Sequence, residues 1–73
     1  MDEQFKIKSY GYGELAMLYF PRSTKKSASA QLSRWIKINK PLFSKLNQAG
    51  FIKGKRLLTP MQVKIIIENI GTP

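Results

Sequence analysis

Thr24-Lys25-Lys26-Ser27-Ala28-Ser29-Ala30-Gln31-Leu32-Ser33-Arg34-Trp35-Ile36-Lys37-Ile38-Asn39 is the stretch on which the fold turns. Projected at about 100° per residue, Ala28, Leu32, Trp35, Ile36 and Asn39 gather on one side of a helix, and Lys26, Ala30, Ser33, Arg34 and Lys37 gather on the other. The first side is a core-facing stripe with Trp35 as its anchor. The second is basic and sterically slim. Thr24 supplies an N-cap, because its hydroxyl can accept from a backbone N–H that the first turn leaves without a partner. Asn39 stands ready to cap a third helix, with Pro41 in its first turn, Leu42, Phe43 and Leu46 as its apolar face and Gly50 as the C′ residue that ends it.

Downstream, Phe51 and Ile52 resume an extended pattern, Lys53-Gly54-Lys55-Arg56 reads as a turn, and Leu57-Leu58 continues beyond it, which predicts a small basic hairpin. A last helix follows with a complete start signal. Thr59 is its N-cap, Pro60 its N1 residue and Gln62 its N3 residue, a capping box, while Leu58 and Val63 are spaced as a hydrophobic staple. Val63, Ile66, Ile67 and Ile70 form its buried stripe, Gly71 stops it, and Met61 and Ile65 project the opposite way. Upstream, the alternation of Phe5 and Ile7 with Lys6 and Lys8 predicts a strand over Phe5–Ser9. Gly11 and Gly13 break that strand, and a first helix begins at Glu14, carries Leu15, Leu18 and Tyr19, and halts before Pro21. The expected fold is mainly α with a small β element, three to four short helices in a winged helix-turn-helix-like arrangement, and residues 1–73 form one domain.

Composition excludes more than it assigns. The 73 residues include 27 large apolar or aromatic side chains, which at roughly 1.5–3 kcal/mol each when fully buried suffice for one modest core. There is no cysteine and no histidine, so the chain lacks disulfides, thiolate metal sites, the commonest general base and every Ser-His or Cys-His arrangement. The spacing of Glu14 and Glu68 gives no reason to pair them as catalytic carboxylates. A non-catalytic protein is expected, with no cofactor, no metal and no small-molecule substrate. No apolar run reaches the roughly 20 residues that span a bilayer, and Asp2 and Glu3 replace a basic leader, so a cytoplasmic location is expected.

Charge supplies the functional direction. From Leu15 to Ile67 the chain carries 11 Lys or Arg and no Asp or Glu; all four carboxylates, Asp2, Glu3, Glu14 and Glu68, lie outside. Such an imbalance suits a polyanion, above all duplex DNA. In that reading the helix after Thr24 is the reader: Ala30 and Ser33 let it sit deep in the major groove, Lys26 and Arg34 reach base edges or phosphates, and Lys37 lies near the rim. Arg22 and Lys25 from the connection, and Lys53, Lys55 and Arg56 from the hairpin, contact phosphates. The alternative is a protein-protein interaction module, including a homodimer, that uses Met61 and Ile65. RNA binding is a third reading, and membrane-surface binding is the weakest because the basic helix spends its apolar face on the core.

Gly13-Glu14-Leu15-Ala16 at a helix start, Leu32-Ser33-Arg34-Trp35-Ile36 on the next helix and Leu57-Leu58-Thr59-Pro60-Met61-Gln62-Val63 opening the last resemble the MerR and excisionase type of winged helix-turn-helix. The resemblance implies DNA binding, with Arg34 at a reader position, Lys53 to Arg56 in the wing, and a role in regulating transcription or a mobile element. It departs from the MerR pattern between the first two helices, where a longer Phe20 to Ser27 connection containing Pro21 replaces a tight turn. Leu18-Tyr19-Phe20-Pro21, Arg34-Trp35-Ile36 and the ending from Leu58-Thr59-Pro60 to Gly71 more closely resemble a family of small bacterial proteins, domain of unknown function 4248.

Overall fold

A computed structural model describes residues 6–52 and 56–73. The chain runs β1 (Tyr10–Gly11), α1 (Tyr12–Tyr19), α2 (Lys25–Ile38), α3 (Lys40–Gln48), β2 (Leu57–Leu58) and α4 (Pro60–Ile70). The fold is mainly helical with one small antiparallel sheet, in which Tyr10 lies opposite Leu58 and Gly11 opposite Leu57. Its core takes Leu15 and Ala16 from α1, Ala28, Leu32 and Ile36 from α2, Leu42 and Leu46 from α3, Leu58 from β2, and Val63 and Ile66 from α4. Four helices and one strand therefore close around a single apolar centre.

The helix starts follow their local chemistry. Thr24 Oγ1 accepts from the Ser27 N–H at 3.1 Å, and Asn39 Oδ1 accepts from the Leu42 N–H at 3.2 Å. At α4 the box is reciprocal: Thr59 Oγ1 accepts from the Gln62 N–H at 3.2 Å, and Gln62 Oε1 accepts from the Thr59 N–H at 3.1 Å. Gln62 then does a second job. Its amide Nε2 donates to the Ala49 carbonyl at 3.1 Å, so the side chain that starts α4 also ties down the end of α3. Gln62 is the one buried polar residue among those described, and both ends of its amide are satisfied. Gly50 and Gly71 follow α3 and α4 with φ of +86° and +92°, backbone that a residue with a side chain adopts only with strain. The Tyr19 hydroxyl donates to the Gly71 carbonyl and joins the end of α1 to the end of α4.

Several sequence expectations are corrected. The strand is Tyr10–Gly11 and not Phe5–Ser9; Phe5 lies outside the described residues, and Lys6 to Ser9 are exposed without strand pairing. The segment turns back on Tyr10 instead, whose hydroxyl donates to the Lys6 carbonyl at 3.2 Å and whose ring lies 5.2 Å below the Lys8 ammonium. Helix α1 starts at Tyr12, two residues before Glu14, because the Arg56 carbonyl accepts from the Tyr12 N–H at 2.6 Å and Glu14 Oε1 accepts from the Gly11 N–H at 2.8 Å. Gly13 is thus helical. Leu57–Leu58 pairs with β1 and not with Phe51–Ile52, so the expected hairpin is replaced by a long-range ladder; its tip, Lys53 to Lys55, lies outside the described residues.

Expectations for four apolar residues also shift. Trp35 is 39 % exposed, a rim residue packed edge-on against Phe20 at 4.8 Å and Tyr19 at 6.1 Å. Leu18 and Phe43 are exposed, because Leu15 with Ala16, and Leu42 with Leu46, already occupy the core side of their short helices. Ile65 is half-buried against the core, so it does not project freely opposite the Val63 and Ile66 stripe.

Thr59→Ala is expected to lower stability by about 1 kcal/mol through loss of one cap bond. Gln62→Ala should cost more, about 2–3 kcal/mol, since it removes the reciprocal cap and leaves the Ala49 carbonyl without this partner. Urea unfolding of the two variants checks the order; equal losses would mean the Ala49 bond contributes nothing.

Candidate nucleic-acid interface

Helix α2 buries Ala28, Leu32 and Ile36, so Lys26, Ala30, Ser33 and Lys37, spaced four, three and four residues apart, must point away from the core. This stripe forms the floor and wall of two adjoining hollows of about 850 and 470 Å³. They share Tyr12, Ala30, Ser33 and Phe51. The larger is flanked by Lys25, Lys26 and Arg56, and the smaller by Arg34 and Lys37. Among the described residues, four cations from α2 and Arg56 just before β2 thus rim one continuous concave face.

The framework beneath it is local. Tyr12 at the start of α1 shares a 2.8 Å hydrogen bond with Ser33 Oγ, which fixes the tyrosine ring across α2, and Phe51 packs beside it with ring centres 6.4 Å apart. Gly13 keeps this corner open. A Cβ there would come within 2.8 Å of Lys25 Cγ, so the aliphatic stem of Lys25 crosses the first turn of α1 where the side chain is missing. Glu14 is the one acid lining the face among the described residues, and its carboxylate is engaged with the Gly11 N–H. Burial raises the Tyr12 phenol above its ordinary value, against a smaller opposing effect of the Ser33 bond, and burial pushes Tyr19 up to about 12.

The sequence-derived residues therefore divide. Lys25, Lys26, Ser33, Arg34, Lys37 and Arg56 come together, although the Ser33 hydroxyl is engaged with Tyr12. Arg22 is exposed in the turn after α1 and lines neither hollow. Lys53 and Lys55 lie outside the described residues, while Phe51 and Arg56 on either side of them both line the face. Met61 is 61 % exposed on α4, but Ile65 beside it packs on the protein's own core. Sequence reasoning places Tyr12 at the core edge, with stacking on unpaired bases as the alternative, and gives Phe43 and Phe51 no site role; all three bring aromatic surface to the face. Tyr12 lies in the break between Gly11 and Gly13 and Phe51 in the expected extended segment, so only tertiary packing puts them beside α2.

The protein is thus a small, mainly helical domain with a basic concave face. It belongs to the family described as Domain of unknown function (DUF4248), whose model matches residues 6–73. No curated protein and no solved structure matches the chain. No helix among the described residues is long and apolar enough to cross a membrane.

Because Tyr12 and Tyr19 hold their protons more tightly when folded, the unfolded chain ionises first, and stability should be intact below pH 10 and fall as pH rises from about 10 towards 12. Tyr12→Phe is expected to cost about 1 kcal/mol near neutral pH through loss of the Ser33 bond, and to make the alkaline fall shallower. Urea midpoints measured from pH 7 to 11.5 test both; an unchanged alkaline slope would rule out Tyr12 as a contributor.

Proposed function

We propose that the protein binds double-stranded DNA without catalysis through the α2 face, in a regulatory role of the winged helix-turn-helix kind. The observation that carries this reading is the convergence of Lys25, Lys26, Arg34, Lys37 and Arg56 on one surface where the one lining carboxylate among the described residues is already engaged. From Lys25 to Lys37 the helix rises about 18 Å, comparable to about five base-pair steps measured along the duplex axis at roughly 3.4 Å each. Lys25, Lys26 and Arg56 act chiefly on the backbone, and Arg34 is the residue assigned to a base edge, because a guanidinium can pair with guanine through two hydrogen bonds.

Affinity for duplex should fall with salt at a log–log slope of about −4 to −5, as expected for roughly 4–6 phosphate contacts. Arg56→Ala should weaken all duplexes alike and make the slope shallower by about 1, whereas Arg34→Ala should relax sequence preference. Glu14→Gln keeps an oxygen for the Gly11 N–H and removes one negative charge from the face, so it should tighten binding. Fluorescence anisotropy with labelled duplexes measures all three; absence of duplex binding at about 50 mM salt would sink the proposal.

A further inference from the structure

We propose that the smaller hollow, between α2 and α3, is a nucleobase site that takes one unstacked base next to a duplex, an inference that rests on the DNA-binding reading of the surrounding face. Phe43 is 43 % exposed on the side of α3 that carries Asn47 one turn later, and both residues line the hollow. Tyr12 and Phe51 line it too, so three aromatic rings meet in one concavity of about 470 Å³, within the range of about 300–1,000 Å³ typical of small-ligand sites. Arg34 and Lys37, one turn apart on α2, form its cationic edge, and no acid lines it among the described residues.

Each part has a matching part in a nucleotide. A base offers a flat π face to Phe43 and Phe51, its edge suits the donor and acceptor of the Asn47 amide, and its phosphate suits Arg34 and Lys37. A paired base keeps its faces inside the stack, so rings lying in a hollow gain nothing from intact duplex. An unpaired base at an end, nick or junction has a free face. An uncharged apolar peptide is a poorer occupant, since it would strip water from Arg34 and Lys37 without returning a negative charge. The Tyr12 hydroxyl, held by Ser33, keeps the ring in place before any ligand arrives.

Affinities are to be compared for a blunt duplex and the same duplex carrying a three-nucleotide single-stranded end with 2-aminopurine as its first unpaired base. The overhang should bind about 5- to 100-fold tighter, the range expected for stacking one base on aromatic side chains, and the 2-aminopurine emission should change on binding. Phe43→Ala should remove the difference in affinity between the overhung and the blunt duplex. Phe43→Leu, which keeps an apolar side chain but no ring, should lose most of it as well. Trp35 lies against Tyr19 and Phe20 and lines neither hollow, so its emission reports whether each variant is folded. Equal affinity of wild type for blunt and overhung duplex would overturn the base site and leave duplex binding standing. Binding of the overhang alone would overturn the duplex reading and uphold the base site; binding of neither would overturn both.

Discussion

Burial of the Ala28, Leu32 and Ile36 row of α2 is the constraint on which the rest of the structure depends. A chain of 73 residues assembles one core, and α2, at 14 residues, is the longest element around it. Only one side of such a helix can be covered. Ala28 and Ala16 are small, and both are fully buried, which lets α1 and α2 approach closely where they meet. Once the row faces inward, Lys26, Ala30, Ser33 and Lys37 have no alternative but the outer surface. The basic face is a consequence of the core, not a feature added to it.

The start of α1 converts that face from a ridge to a hollow. Eight residues of helix extend about 12 Å, and the start of α1 comes to rest beside α2, where Tyr12 bonds to Ser33 and Gly13 gives way to the Lys25 stem. Helix α3 closes the other side with Phe43 and Asn47. A free-standing recognition helix would present Ala30 and Ser33 at its crest, ready to enter a groove. Here they lie on the floor. In the proposed DNA-binding reading, the cations around the floor are better placed to grip a phosphate ridge than the small residues are to read bases, so positioning contacts would come first and base readout second.

What was legible in the sequence was what local chemistry decides. Thr24, Asn39 and Thr59 cap their helices through bonds to residues three positions on, and Gly50 and Gly71 take the positive φ that ends a helix. These signals need no knowledge of the rest of the chain. The sheet was not legible, because Tyr10 and Leu58 are 48 positions apart and two residues per strand carry no alternation to recognise. Trp35 shows a different limit. Its helical phase is that of Leu32 and Ile36, yet phase fixes direction and not depth, and the bulky ring stops at the rim against Phe20 and Tyr19. Of the candidate site, the α2 cations were predictable from periodicity, and the aromatic contribution of Tyr12, Phe43 and Phe51 was not, since three different segments supply it.

Glu14 shows how the charge asymmetry and the fold fit together. A carboxylate beside five cations would ordinarily weaken their field, but its Oε1 accepts the Gly11 N–H at the start of α1, where the helix dipole also favours negative charge. Its position is set by the needs of a helix that begins on a residue with no side chain to act as a cap. An amide at this position can make the same bond without the charge, so the fold itself demands only the oxygen. The negative charge then moderates the positive field of the face, and if the face binds DNA as proposed, it would weaken nonspecific attraction and leave more of the affinity to shape, Arg34 and the aromatic hollow.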